Sequence, residues 1–287
     1  MKRKAEEITA LEEQQGGKEN SIIVAKGDKG GKEGAVVSSS SSGYINKQRL
    51  LILSSRGVTA RYRHLQEDLK LLIPHHKKDN KLDSKGDIHA VTEIAEFKSC
   101  NQIMYLECRK HQDLYMYLGR TPMGPSVKFH VVNIHTMDEL KLTGNCMKGS
   151  RPLLNFDAAF ESKPHFKVLK SILSDAFGTP KGHPKSKPFL DRIMSFFIVK
   201  NNIWVRNYQI MEKSDRADGK DMHLIEIGPR FVLIPIRIFS GTFSGATLYQ
   251  NMAFVSPNTE RSNLRRKGYT FYWLYRLVYM YVMGCFG

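Results

Sequence analysis

Residues Arg120 to Thr136 open as a basic turn, Arg-Thr-Pro-Met-Gly-Pro, and continue as a run in which Val127, Phe129 and Val131 alternate with Lys128 and His130. Pro122, Gly124 and Pro125 break any regular structure, so the chain must turn there; the period-two alternation that follows demands a strand with one apolar face. The same arrangement returns in the second half, where Ile227-Gly228-Pro229-Arg230 feeds Phe231 to Phe239. Two glycine–proline turns, each beside an arginine and each launching a strand, point to a unit used twice.

The intervening elements obey that reading. Leu50 to Leu53 reads as a short buried strand, followed by a helix from about Thr59 with Tyr62, Leu65, Leu69 and Leu72 on one stripe. Pro74 stops it, and His75 to Lys85 reads as a charged, flexible loop. A second helix is expected from Asp87 to about Lys98, then a hairpin of Ile103–Arg109 and Leu114–Leu118 around His111-Gln112-Asp113. In the second half Leu153 to Phe156 is a strand, and Phe166, Leu169, Leu173, Ala176 and Phe177 mark a helix ended by Gly178 and Pro180. A hairpin around Asn201-Asn202, a turn at Asp218-Gly219 and a strand from Met222 to Ile227 precede the second glycine–proline turn. Pro235 predicts an edge or a bulge in the last strand. The expected fold is therefore α/β, with two similar lobes, about 44–149 and about 150–257, each a small mixed sheet carrying helices.

Charge narrows the function. The formal net charge is +16, yet residues 1 to 43 hold seven Lys/Arg and seven Asp/Glu, so the whole excess belongs to the rest of the chain. A folded body that basic favours a polyanion, because each phosphate contact releases counterions. Residues 1 to 43, rich in Glu, Lys, Gly and Ser and ending in a serine run, read as disordered. Cys100, Cys108, Cys146 and Cys285 show no C-x-x-C pairing and read as reduced thiols. The N-terminus has no apolar signal region, which fits a cytosolic or nuclear protein.

No phosphate-loop, zinc-protease, nucleophile-elbow or dinucleotide motif occurs, and the histidines lack clustered carboxylates or thiols, so neither a catalytic centre nor a metal or cofactor is expected. The basic segments carry more. Arg56, Arg61 and Arg63 flank the first strand-to-helix junction, where a helix N-terminus can hold phosphate. Arg120, Thr121, Ser126 and Lys128 surround the rigid turn, whose hydroxyls can donate to phosphate oxygens. Lys181, Lys185 and Lys187 alternate with prolines in an extended loop, and Arg261, Arg265, Arg266 and Lys267 form a last basic cluster. Tyr269 to Gly287 is aromatic but shorter than a membrane span and interrupted by Arg276, so a packing or interfacial tail is expected and a membrane is not.

Leu50 to Gly57 with the Tyr62 helix, Arg120 to Phe129, and Ile227 to Phe231 together resemble the Brix domain, over about Tyr44 to Pro257. The resemblance implies two α/β lobes similar to the anticodon-binding domains of class IIa aminoacyl-tRNA synthetases. It also implies a nuclear, nucleolar assembly factor that binds precursor ribosomal RNA, other large-subunit assembly factors and ribosomal proteins on the way to the large subunit. The family's RNA-binding segment falls on Arg120, Gly124, Pro125, Ser126 and Lys128, and Arg230 holds the corresponding place at the second turn. Family members continue past Ser256-Pro257 with a Lys-rich helical tail, from which Tyr269 to Gly287 departs. The alternative, an RNA-processing or RNA-modifying enzyme, requires a deep pocket with convergent polar groups.

Overall fold

A computed structural model describes residues 48–79, 82, 88–141, 144–187, 189–212 and 222–267. The expected disordered start, the Asp218-Gly219 turn, Cys285 and the aromatic tail lie outside the described residues. The chain runs β1 (Leu50–Ser54), α1 (Ala60–Leu72), β2 (His76–Lys78), α2 (His89–Phe97), β3 (Gln102–Arg109), β4 (Asp113–Arg120), β5 (Ser126–His135) and α3 (Met137–Leu140). It continues with β6 (Pro152–Phe156), a 3-10 turn (Ala158–Glu161), α4 (Pro164–Phe177), β7 (Arg192–Val199), β8 (Asn202–Glu212), β9 (Met222–Glu226), β10 (Arg230–Phe239) and β11 (Thr247–Gln250). A last helix, α5, occupies 257–267.

The mixed α/β class is as expected, but the arrangement of sheets is not. The strands form one continuous sheet in the order β2-β1-β3-β4-β5-β10-β8-β7-β6, with β11 on β10 and β9 on β8. The two halves meet because β5 and β10, the strands launched by the glycine–proline turns, pair antiparallel through Val132↔Val232, Leu233↔Val131 and Pro235↔Phe129. Separate small sheets would leave both long strands with unsatisfied edge amides and carbonyls, and pairing them removes both edges. On either side of that seam the pairings run in the same order. β1 is parallel to β3, which is antiparallel to β4, and β4 to β5; β6 is parallel to β7, which is antiparallel to β8, and β8 to β10. The halves differ in what they add: β2 and α2 in the first, β9 and β11 in the second.

One face of the sheet packs against α1 and α4. Leu65, Leu69 and Leu72 from α1 and Phe166, Leu169, Leu173 and Phe177 from α4 join Ile52, Met116, Phe129, Phe196, Ile203 and Leu233 in a single apolar layer that crosses the seam. Each fully buried leucine or phenylalanine there contributes about 1.5–3 kcal/mol, so the shared layer holds the halves together. The other face is covered over the first half by α2, whose Val91 and Ala95 meet Leu51, Leu53, Ile103, Tyr105 and Tyr117.

Two local expectations change and a third is narrowed. His76–Lys78, read as flexible loop, is strand β2, which pairs parallel with β1. Its two lysines suit a short strand at a sheet edge. The hairpin between β7 and β8 turns at Lys200 (φ 51°) and Asn201 (φ 64°), one residue earlier than read, because Asn202 already pairs with Val199. Pro235 marks a bulge rather than an edge, since the β5–β10 register shifts between Pro235 and Arg237.

Candidate nucleic-acid interface

The β1–α1 junction, the β3–β4 hairpin tip and α5 enclose an open groove of about 990 Å³. Its walls hold Arg56 and Gly57 from the junction, Arg109, Lys110 and His111 from the tip, and Ser256, Asn258 and Arg261 at the start of α5. Gly57 sits at φ +81°, and a Cβ there would lie 2.8 Å from the His111 ring. Only glycine allows the tip to close on the junction, where the His111 Nδ1 lies 2.7 Å from the Gly57 carbonyl oxygen. Tyr62 of α1 donates its hydroxyl to the Gln112 carbonyl, tying the helix to the same tip. Lys110 and His111 both have positive φ, as the tight turn needs.

The acids at this groove are already committed. Asp113 accepts both guanidinium nitrogens of Arg261, at 2.9 and 2.5 Å, and these hydrogen bonds hold its carboxyl below the usual carboxylate range. Glu107 accepts from Arg109 at 2.8 Å and from the Tyr117 hydroxyl at 2.9 Å. Arg109 also lies over the Tyr115 ring, 5.1 Å from its centre, with its side chain about half exposed. With the carboxylates paired to Arg109 and Arg261, the groove leaves Arg56, Lys110 and His111 exposed beside those two ion pairs. A neighbouring pocket of about 400 Å³ extends it past Lys110, Gln112 and Arg265.

The Arg120–Lys128 turn, by contrast, is a joint. Arg120 is ion-paired with Asp175 of α4 and donates to the Ser171 hydroxyl at 2.7 Å. Ser126 is fully buried; its hydroxyl donates to the Gly241 carbonyl at 2.7 Å and accepts from the Phe243 amide at 2.8 Å. Ser126 is thereby removed from the phosphate-donor role read from the sequence, because both of its hydrogen-bonding capacities are used inside. The Thr121 hydroxyl is likewise buried. Gly124, at φ +79°, packs against Gly241, where a Cβ would come within 2.5 Å of the backbone, and Pro125 beside it is half-buried. Lys128 lies across the Tyr115 and Tyr117 rings at 5.0 and 4.9 Å; burial, helped by Arg109, pushes its ammonium down to about 8. It is thus a half-buried cation held against the tyrosines rather than a fully exposed one.

The remaining sequence candidates divide the same way. Arg61 and Arg63 stand exposed on α1, with Arg61 3.8 Å from Glu139. Lys181, Lys185 and Lys187 are exposed on the loop after α4, which is anchored by buried His183 against His75 and by the Lys187 amide donating to Gly149. Arg230 is held in a two-pronged pair with Glu226, at 2.8 Å on both prongs, and Arg206 shares that carboxylate at 3.2 Å. Arg109, Lys110 and His111 were missed as site residues, although three basic residues at a hairpin tip are a signal the sequence does carry. Among the described residues no cluster of metal-ligating side chains occurs, and no helix is long and apolar enough to cross a membrane.

Comparison with known proteins adds to this geometry. Residues 55–237 match the family model of the Brix domain. The chain belongs to the Brix-domain family. It is 50% identical over 229 residues to the ribosome biogenesis protein BRX1 of Saccharomyces cerevisiae, covering 78% of this chain and 79% of that protein. To the human BRX1 homologue it is 53% identical over 220 residues, covering 77% of this chain but 60% of the human protein. Among solved structures, a probable ribosomal biogenesis protein from Aeropyrum pernix K1 matches 65% of this chain and 95% of its own, at 16% identity and a TM-score of 0.43.

Proposed function

We propose that this Brix-domain protein is a non-catalytic assembly factor of ribosome biogenesis that grips precursor ribosomal RNA in the nucleolus during maturation of the large subunit. The observation that carries the reading is the groove: Arg56 and Lys110 are exposed there beside Arg109 and Arg261, whose pairs with Glu107 and Asp113 take up its two carboxylates. RNA phosphates would be held by Arg56, Arg109 and Lys110, with Arg61 and Arg63 on the adjoining helix and Lys181, Lys185 and Lys187 as a second patch. Arg120, Gly124 and Pro125 fix the far end of β4, Lys128 lies on Tyr115 of the groove wall and Arg230 pairs with Glu226, while Arg120 remains partly reachable, with 38% of its side chain exposed. The family relationship and the names of the relatives favour ribosome biogenesis over other RNA work.

The pairing of both groove acids also favours a grip over an RNA-processing or RNA-modifying enzyme, which would need a poised base or acid. Protein partners, namely other assembly factors and ribosomal proteins, have apolar surface to meet: β6 and β7 leave Leu153, Phe197 and Val199 exposed. Crosslinking the protein to RNA in cell extract and mapping the crosslinked peptides and bases tests the reading. Crosslinks from the hairpin tip to large-subunit precursor RNA are expected; crosslinks confined to unrelated RNAs would overturn it.

A further inference from the structure

Three hydroxyl residues precede a proline in this chain, Thr121, Thr179 and Ser256. The hydroxyls of Thr121 and Thr179 are buried without a hydrogen-bond partner, so neither is offered to another molecule. Ser256 lines the groove together with Arg56, Arg109, Lys110 and Arg261. The chain leading to it is irregular and open, with Met252 88% and Val255 48% exposed, which suits entry into a kinase cleft. Its hydroxyl caps α5, accepting from the Thr259 amide at 3.2 Å and lying 2.8 Å from the Thr259 hydroxyl.

We propose that Ser256 is phosphorylated by a proline-directed protein kinase and that the phosphate closes the groove to RNA. ATP is the phosphoryl donor. The Ser256 oxygen bonds to the γ-phosphorus, the bond from that phosphorus to the bridging oxygen of ADP breaks, and the hydroxyl proton passes to the kinase's base. The product carries a charge of about −1.5 to −2 at neutral pH. Its oxygens lie at the amino end of α5, where helix amides attract anions, and in the groove that Lys110 and Arg109 line. The modification thus places a phosphate where an RNA phosphate would bind and cancels the charge that would hold it. This regulation rests on the groove being the RNA contact.

The test treats the full chain with ATP and a purified proline-directed kinase, maps phosphate by mass spectrometry, and titrates modified and unmodified protein with a large-subunit precursor RNA fragment. Phosphate on Ser256 and an affinity lowered roughly tenfold or more, with a shallower salt dependence, are expected. Ser256→Ala should take up no phosphate at that position and show the same RNA affinity before and after kinase treatment, whatever that starting affinity is, with thermal melting confirming that it remains folded. Failure of Ser256 to accept phosphate while a Ser-Pro control peptide does would overturn the proposal, as would a phosphorylated protein that binds RNA unchanged. If the unmodified protein does not bind the RNA, the proposed function fails together with the regulatory step, whereas phosphate mapping alone decides the modification.

Discussion

Arg120 at the end of β4 is ion-paired with Asp175 of α4, so the residue that most resembled a phosphate ligand in the sequence ties the first half of the sheet to a helix of the second. Its replacement should therefore weaken the fold before it weakens RNA binding. Arg120→Ala is expected to lower unfolding stability by about 1–2 kcal/mol, through one lost charge-assisted pair and the bond to Ser171. Urea denaturation measures this directly. An RNA salt slope that drops while stability stays constant would instead return Arg120 to the interface.

The hairpin tip gives the opposite expectation. Removing Arg109 and Lys110 together by alanine substitution should reduce the slope of log K against log salt by about one to two, at most one unit of charge per cation. Stability should fall by about 1 kcal/mol, because Lys110 donates to the exposed Asn258 while Arg109 gives up a half-exposed pair with Glu107. Affinity titrations at several salt concentrations, beside a melting curve, separate the two effects.

Arg192 is buried at 1% exposure, and it donates to the Leu72 carbonyl at the end of α1 and to both oxygens of Ser150. A helix ends in carbonyls that lack intrahelical partners, and here a residue of the second half satisfies one from the first. Burial pushes the guanidinium below its ordinary range, though not enough to discharge it. Arg192→Ala should cost about 3 kcal/mol or more by leaving a cavity and an unpaired carbonyl, measured by equilibrium denaturation. A loss under about 1 kcal/mol would show that the site relaxes around the gap.

His75 is 2% exposed, with neither ring nitrogen hydrogen-bonded, and it faces His183 edge-on at 6.0 Å. Burial, reinforced by His183 and His76, pushes it from 6.5 down to about 4. The folded state thus favours the neutral ring while the unfolded chain takes up a proton below 6.5. The stability linked to His75 is full above that value and is lost as pH falls through about 4. Relative to His75→Leu, the wild type should lose up to roughly 3 kcal/mol over that window. Parallel pH-dependent denaturation curves would contradict it.

Lys128 acts in the same direction at higher pH. Its folded value of about 8 lies below the ordinary 10.5, so between those limits the unfolded chain holds the proton more tightly. Wild type should gain stability relative to Lys128→Met as pH rises through that window, by of order 1–3 kcal/mol. The tyrosine faces beneath the ammonium oppose this by favouring the charged form, and so set the gain toward the lower end. Denaturation of the two proteins at about pH 7.5 and 10 checks the sign.

Local pattern decided much of this protein. The stripe Leu65, Leu69, Leu72 made α1, the alternation around Phe129 made β5, and two glycine–proline turns started the long strands, because each depends on residues close in the chain. The basic balance of the body and the family motifs were equally legible, since both are properties of composition and order. Only the tertiary structure decided that β5 and β10 join the halves into one sheet, for strand partners far apart in sequence leave no local trace. It also decided which cations face outward. Arg120 meets Asp175 and Lys128 lies on two tyrosines, while Arg109 and Lys110 stay at a hairpin tip, and a side chain's availability depends on neighbours brought by folding rather than by sequence.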